Sequence, residues 1–165
     1  MLNQNLEHVL SYNHEHLTTL IARCIGIKIR VVEEDERETG LRKILNFGHT
    51  IGHALEQATR YKLLRHGEAV AWGMIAAGWL AIHRKMWDAG EFEKLKSILL
   101  RSGSLYPLGS LKNKDILKAL KHDKKKTGKG LNFALPEKTG KVTIVKDIAR
   151  GEVQAAVDYI LQFRH

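Results

Sequence analysis

The chain has 165 residues, a formal net charge of +9, 44% apolar residues and 27% charged residues. This composition is typical of one globular domain and excludes a disordered or low-complexity protein. The single cysteine, Cys24, excludes an internal disulfide and fits a reducing compartment. No signal peptide follows Met1, and the longest uncharged apolar run, Ala69 to Ile82, has fourteen residues where a membrane span needs roughly 20. We therefore expect a cytoplasmic chain with no membrane partner.

Apolar periodicity predicts a mainly α-helical fold, organised as one domain over residues 1–165. Residues 5–23 carry apolar side chains at helical spacing, interrupted near "SYNHEH", which predicts two short helices. Periodicity leaves open whether Ile25 to Val32 is a strand or part of a helix. The helical pattern returns from Leu41 onward.

A stripe of polar side chains marks the next predicted helix, residues 50–60. At 100° per residue, His49, His53, Glu56 and Arg60 share one face, opposite an apolar face. Such a stripe is usually a solvent-facing surface. Two imidazoles and a carboxylate aligned in this way also favour a binding site.

A run that is apolar on nearly every face follows, from Ala69 to Ile82. A helix of this kind is buried, so we expect it to be the central helix, with His66 at its start. The other predicted elements are two amphipathic helices, a β-hairpin and a terminal helix: Ala89–Leu100, Asn113–Lys121, the run "LNFALPEKTGKVTIV" and Glu152–Gln162.

The three histidines around the central helix are candidate metal ligands. His49 and His66 are predicted on separate helices, so both can reach one ion, and His53 could be a third ligand because it lies four residues after His49. The H-E-x-x-H pattern of metalloproteases is absent, and so are the P-loop and G-x-G-x-x-G patterns of nucleotide sites. Spacing alone leaves metal binding and a surface role open.

The basic residues are candidate anion ligands. Lys28, Arg42 and the run "KHDKKKTGKG" supply cations, and Asn46 lies one helical turn after Arg42, which fits a phosphate or carboxylate ligand. The alternative for Arg42 is an ordinary surface ion pair with Glu38, four residues earlier. A nucleic-acid partner is disfavoured because the basic run has no interleaved aromatic residues.

Three blocks resemble the C-terminal domain of 3-dehydroquinate synthase: "DERETGLRKILNFGHTIGHALE", "HGEAVAWGM" and "HDKKKTGKGLNFALPEKTGKV". The resemblance runs in order from about Leu20 to Val145, and other sugar-phosphate cyclases share much of it. It implies a helical domain with a small β-hairpin near its C-terminus. It also implies a carbon–oxygen lyase of the shikimate pathway, which converts 3-deoxy-D-arabino-heptulosonate 7-phosphate to 3-dehydroquinate and phosphate with NAD+ and zinc.

The same resemblance assigns roles to individual residues. It implies that His49 and His66 are two of three metal ligands, and that His53 binds substrate and takes part in proton transfer. The residues implied to line the substrate pocket are Lys28, Glu38, Arg42, Asn46, His53 and one lysine of the pair Lys124 and Lys125. Of these, we expect His53, Lys28, Arg42 and Asn46 to be catalytic.

The chain also departs from the family pattern. Nothing in it resembles the family's N-terminal NAD+-binding domain, so no cofactor-binding residues are expected here, and the segment with the third metal ligand, a glutamate, is missing. We therefore expect the chain alone to be catalytically incomplete, with a weaker site for zinc or another divalent metal. Glu56, Glu68 or His53 could supply a substitute ligand.

These features define the expected partners: a phosphorylated sugar acid, the missing N-terminal domain and, where an apolar interface is exposed, a second copy of the chain. Two alternatives remain open at the level of sequence. One is a non-catalytic helical module, which would stay folded without binding zinc or substrate. The other is a different sugar-phosphate cyclase, which only substrate profiling would distinguish.

Overall fold

The computed structural model describes residues 2–109, 111–127 and 131–163, with the side chains of residues 2–4 and 122–127 left out of the description. In chain order the elements are α1 (Leu2–Leu10), α2 (His14–Glu34), a 3-10 helix (Leu41–Asn46), α3 (His49–Ala58), α4 (His66–His83), α5 (Ala89–Arg101), α6 (Asn113–Thr127), β1 (Phe133–Lys138), β2 (Lys141–Val145) and α7 (Arg150–Leu161). The predicted fold class, mainly helical with a small hairpin near the C-terminus, is confirmed. Internal contacts divide the chain into two compact units, Met1–Leu45 and Asn46–His165.

The first unit is built from α1 and α2, which pack against each other. Asn13 caps the start of α2 because its side-chain oxygen accepts the backbone N–H of His16 at 3.2 Å. From there α2 runs for 21 residues to Glu34, so Ile25 to Val32 is helical. None of the residues of α2, all of which the structure describes, is buried.

The second unit is organised around α4. Eleven of its residues are buried, including Trp72 and Ile75, and it packs against α3, α5, α7 and β1. The prediction of a central buried helix that begins near His66 is therefore confirmed. Among the described residues, no helix combines the length and the apolar character needed to cross a membrane.

The hairpin closes one side of this core. β1 and β2 are antiparallel, with Phe133 opposite Val145 and Leu135 opposite Thr143. Phe133 and Leu135 are both buried in the core of the second unit. Because residues that alternate along a strand share a face, this side of β1 seals the core next to α4.

Several boundaries differ from the sequence prediction. The second of the two short helices predicted in residues 5–23 is the 21-residue α2, and the terminal helix predicted over Glu152–Gln162 runs over Arg150–Leu161. The helix predicted over residues 50–60 begins at His49 and ends at Ala58, and Arg60 has a left-handed backbone with φ of 53° beyond its end. The helix predicted over Asn113–Lys121 continues to Thr127. The predicted polar stripe on α3 therefore ends at Glu56.

Candidate metal centre

A close approach of two helices positions the histidines. Gly48, just before α3, has a φ of +82°, and a Cβ at this position would lie 2.6 Å from the carbonyl oxygen of Val70 in α4. Gly52, one turn into α3, is also tight, with Ala69 and Val70 at 3.2 Å from the position of a Cβ. Since glycine has no side chain, the start of α3 can rest directly on the first turns of α4.

This approach brings three imidazoles together. The ring centroids of His49 and His66 are 5.3 Å apart, those of His49 and His53 are 5.4 Å apart, and those of His53 and His66 are 5.9 Å apart. His49 is half-buried, while His53 and His66 are exposed. The structure thus gathers the three histidines that the sequence singled out.

The His49 ring is oriented by its backbone surroundings. Its Nδ1 donates a hydrogen bond to the carbonyl oxygen of Phe47 at 3.3 Å, which leaves the Nε2 lone pair free. Burial lowers the pKa of His49 from its ordinary value of 6.5, the Phe47 hydrogen bond raises it, and the nearby rings of His53 and His66 lower it further. The net lowering keeps the ring neutral near pH 7, the form that binds a metal.

The His66 ring is oriented by a carboxylate. Its Nδ1 lies 3.1 Å from Oε1 of Glu56, in the last turn of α3. Glu56 is only 8% exposed, and among the side chains that the structure describes it is the one charged group in the buried class. Burial of an unpaired carboxylate is unfavourable, so the contact with the His66 imidazole stabilises Glu56 in this buried position.

The donor set fits a divalent metal. Ligand atoms from His53, Glu56 and His66 lie within 4.8 Å of one another, and imidazole nitrogen with carboxylate oxygen is a common ligand combination for zinc. Glu56 and His53, two of the substitute ligands considered from the sequence, are therefore close to the site. Glu68, the third, instead accepts the backbone N–H of Arg65 at 2.7 Å and caps α4.

The predicted substrate residues lie in several places. Asn46 belongs to the second unit, where it is exposed at the end of the 3-10 helix, three residues before His49. Lys28, Glu38 and Arg42 belong to the first unit: Lys28 is exposed on α2, and Glu38 has a left-handed φ of 54° in the turn after it. Lys124 and Lys125 lie outside the residues whose side chains the structure describes.

The turn after α2 holds Arg42 through a residue that the sequence did not single out. The Asp35 carboxylate accepts the backbone N–H groups of Thr39 at 2.9 Å, Gly40 at 2.8 Å and Arg42 at 2.9 Å. The Arg42 guanidinium donates to the carbonyl oxygen of Glu36 at 2.8 Å. These partners lie four to seven residues after Asp35, beyond the two-residue spacing of an ordinary aspartate turn, so turn propensities do not reveal this role from the sequence.

The clustered imidazoles and the buried carboxylate make this part of the helical domain a candidate metal centre. The family can be stated as well. Residues 1–126 match the family model described as 3-dehydroquinate synthase C-terminal, and the chain belongs to this family.

Curated relatives agree with this assignment. A 3-dehydroquinate synthase of Rippkaea orientalis is 42% identical over 156 residues, which cover 93% of this chain and 42% of that protein. One of Campylobacter jejuni is 43% identical over 146 residues, which cover 87% of this chain and 41% of that protein. The chain therefore spans less than half the length of the curated relatives it matches.

Solved structures show the same fold. A 2-epi-5-epi-valiolone synthase from Streptomyces hygroscopicus subsp. jinggangensis, with NAD+ and Zn2+ bound, matches 98% of this chain and 46% of its own, with a TM-score of 0.79 at 24% identity. A 2-deoxy-scyllo-inosose synthase complexed with carbaglucose-6-phosphate, NAD+ and Co2+ matches 88% of this chain and 41% of its own, with a TM-score of 0.74 at 28% identity.

Proposed function

We propose that this chain is the metal- and substrate-binding part of a 3-dehydroquinate synthase, which converts 3-deoxy-D-arabino-heptulosonate 7-phosphate to 3-dehydroquinate and phosphate. The observation that carries the proposal is the convergence of His49, His53 and His66 within the blocks that match the family. In this proposal the chain contributes two of the three metal ligands and most of the substrate contacts, and an N-terminal domain contributes the NAD+ site.

His49 and His66 are the proposed metal ligands. The Nδ1 of each ring is hydrogen-bonded to an oxygen. The acceptor is the Phe47 carbonyl for His49 and the Glu56 carboxylate for His66. Metal-binding histidines are usually held in this way, with the second nitrogen left for the ion. A bound zinc ion would act as a Lewis acid on the substrate oxygens, while NAD+ would supply the hydride chemistry.

His53 has a different proposed role. It lies one turn after His49 on the same face of α3, its ring is exposed, and its centroid is 5.4 Å from that of His49. An imidazole beside the metal can accept or donate a proton at a substrate hydroxyl. We therefore assign His53 to proton transfer and substrate binding.

The remaining substrate contacts are assigned by chemistry. Arg42 and Lys28 provide cations for the phosphate and carboxylate, while Asn46 and Glu38 provide hydrogen bonds to hydroxyls. One lysine of the pair Lys124 and Lys125 completes this set. In this proposal, cationic side chains bind the phosphate and carboxylate of the substrate through ion pairs.

Zinc titration by calorimetry of the metal-stripped chain tests the metal part of the proposal. We expect binding that is lost in a His49→Ala, His66→Ala double variant. A His14→Ala, His83→Ala double variant is the matched control, because it removes two imidazoles that lie outside the cluster, and it should bind zinc like the unmodified chain. Equal binding by all three proteins would overturn the assignment of the ligands.

The reaction is tested in a chimera. The chain replaces the matching residues of the Rippkaea orientalis enzyme, and formation of 3-dehydroquinate is measured with NAD+ and zinc supplied. Turnover supports the proposal. A folded, zinc-binding chimera that turns over a different sugar phosphate would instead favour another cyclase activity. This alternative is tested because the two structural neighbours share the fold and are named for other reactions.

A further inference from the structure

The Glu56–His66 pair links the end of α3 to the start of α4. Glu56 is in the last turn of α3 and His66 is the first residue of α4, ten positions later. The Glu56 side chain is 10% exposed and the His66 side chain is 58% exposed. The carboxylate thus lies beneath the imidazole, on its protein side.

The hydrogen bond between them determines where the His66 proton is. An ionised carboxylate has no hydrogen to donate, so the 3.1 Å contact between Oε1 and Nδ1 requires the proton to be on Nδ1. The Nε2 lone pair is then free, whereas a histidine side chain in water favours the proton on Nε2. Glu56 therefore selects the tautomer that can bind a metal through Nε2.

We propose that Glu56 is the positioning residue of the metal site: it holds His66 in the Nδ1–H tautomer and fixes the orientation of its ring. The inference rests on the proposed function in that His66 is taken as a metal ligand. It goes beyond that function by assigning a positioning role to the buried Glu56 side chain. A carboxylate behind a ligating imidazole also makes the nitrogen more basic and therefore a stronger ligand.

A competing arrangement is a carboxylate that binds the metal directly, because one Glu56 oxygen lies within 4.8 Å of one nitrogen of His53 and one of His66. Two substitutions separate these cases. Glu56→Gln keeps a hydrogen-bond acceptor of the same size and removes the charge, while Glu56→Ala removes the acceptor. Glu93→Ala, which removes an exposed carboxylate on α5, is the matched control.

The first measurement is the tautomer of His66 in the metal-free chain, read by long-range proton–nitrogen NMR at about pH 8, above the ordinary imidazole pKa of about 6.5. We expect Nδ1–H in the unmodified chain, in Glu56→Gln and in Glu93→Ala. We expect a shift toward Nε2–H in Glu56→Ala, with circular dichroism showing that the variant is folded. An Nε2–H tautomer in the unmodified chain, or no shift in Glu56→Ala, would overturn the proposal.

The second measurement is zinc affinity by calorimetry. Loss of a residue that positions a ligand typically weakens binding about 10- to 100-fold, so we expect that loss in Glu56→Ala, a smaller loss in Glu56→Gln and none in Glu93→Ala. Equal losses in the two Glu56 variants, with the Nδ1–H tautomer retained in Glu56→Gln, would overturn the proposal in favour of a direct ligand. Because the tautomer is read without metal, a chain that fails to bind zinc contradicts the proposed function while the NMR result still decides this inference.

Discussion

Gly73 in α4 faces the carbonyl oxygen of Gly48, and a Cβ built on Gly73 would lie only 1.8 Å from that oxygen. The contact is between backbones, so neither partner can move aside as a flexible side chain would. The spacing of α3 and α4 therefore depends on glycine at both positions. The distance between the His49 and His66 rings depends on the same spacing.

Substitution of Gly73 by alanine is expected to destabilise the chain. Overpacking of this kind costs about 1–3 kcal/mol because the backbones must separate, and the same separation should weaken zinc binding. Chemical denaturation measures the free energy of unfolding, and calorimetry measures the affinity. Gly151→Ala in α7 is the control, since nothing lies within 4 Å of its Cβ position, and it should be neutral or stabilising. A Gly73→Ala chain as stable as the unmodified one would contradict the close helix approach.

The sequence predicted most of the fold because its strongest signals are local. The run from Ala69 to Ile82 is apolar on nearly every face, so its burial follows from composition alone. The hairpin follows from two β-prone runs around a turn at Thr139 and Gly140. The stretch from Ile25 to Val32 was undecided because alternating β-branched residues fit a strand, whereas the structure continues a helix that Asn13 has already started.

The candidate site was predicted only in part. The shared face of α3 explains why His49 and His53 are close, but the environment of Glu56 follows from the crossing of α3 over α4. The sequence left a solvent-facing surface and a binding site open for the polar stripe, and Glu56 is buried against His66. Contacts between helices depend on glycine positions and crossing geometry, which helical periodicity does not encode.

A Trp72→Phe substitution is expected to destabilise the second unit. Trp72 is 2% exposed, and its Nε1 donates a hydrogen bond to the carbonyl oxygen of Tyr106 at 2.7 Å. The variant removes this partly buried hydrogen bond to the exposed residue Tyr106, and the loss of such a bond typically costs about 0.5–1.5 kcal/mol. Denaturation in urea measures the change in the free energy of unfolding.

Trp87→Phe is the matched control for Trp72→Phe. The Trp87 Nε1 is buried and has no hydrogen-bond partner among the described residues, so its loss removes no bond. The control should therefore cost less than Trp72→Phe. Equal costs would show that ring volume, and not the Tyr106 hydrogen bond, determines the effect.

His53→Ala is expected to separate metal binding from catalysis. If His53 transfers protons and does not bind the metal, the variant should keep zinc affinity close to that of the unmodified chain, while His49→Ala should lose it. In the chimera with the Rippkaea orientalis N-terminal domain, turnover by His53→Ala should fall about 10²- to 10⁴-fold, the usual contribution of a general acid or base. A loss of zinc affinity as large as that of His49→Ala would instead place His53 among the ligands.

Acid is expected to loosen the turn that carries Glu38 and Arg42. The backbone N–H groups of Arg42 and Gly40 lower the pKa of Asp35 from 3.8 to about 2. Because the pKa is lowered by contacts in the folded turn, the carboxylate stabilises the turn above pH 3.8, and this stabilisation is lost as the pH falls from there through about 2. The measurement is NMR titration of the Asp35 carboxyl together with the amide shifts of Gly40 and Arg42.

The Asp35→Asn variant is the control for this titration, since it keeps an acceptor and removes the ionisable group. In the unmodified chain the amide shifts of Gly40 and Arg42 should follow the Asp35 carboxyl, and in the variant that acid step should disappear. A carboxyl that titrates near 3.8 in the unmodified chain would contradict the hydrogen bonds to the turn. Since Arg42 is assigned to substrate binding, the variant in the chimera should also raise KM more than it lowers kcat, because the guanidinium is held by a turn that Asp35 orders.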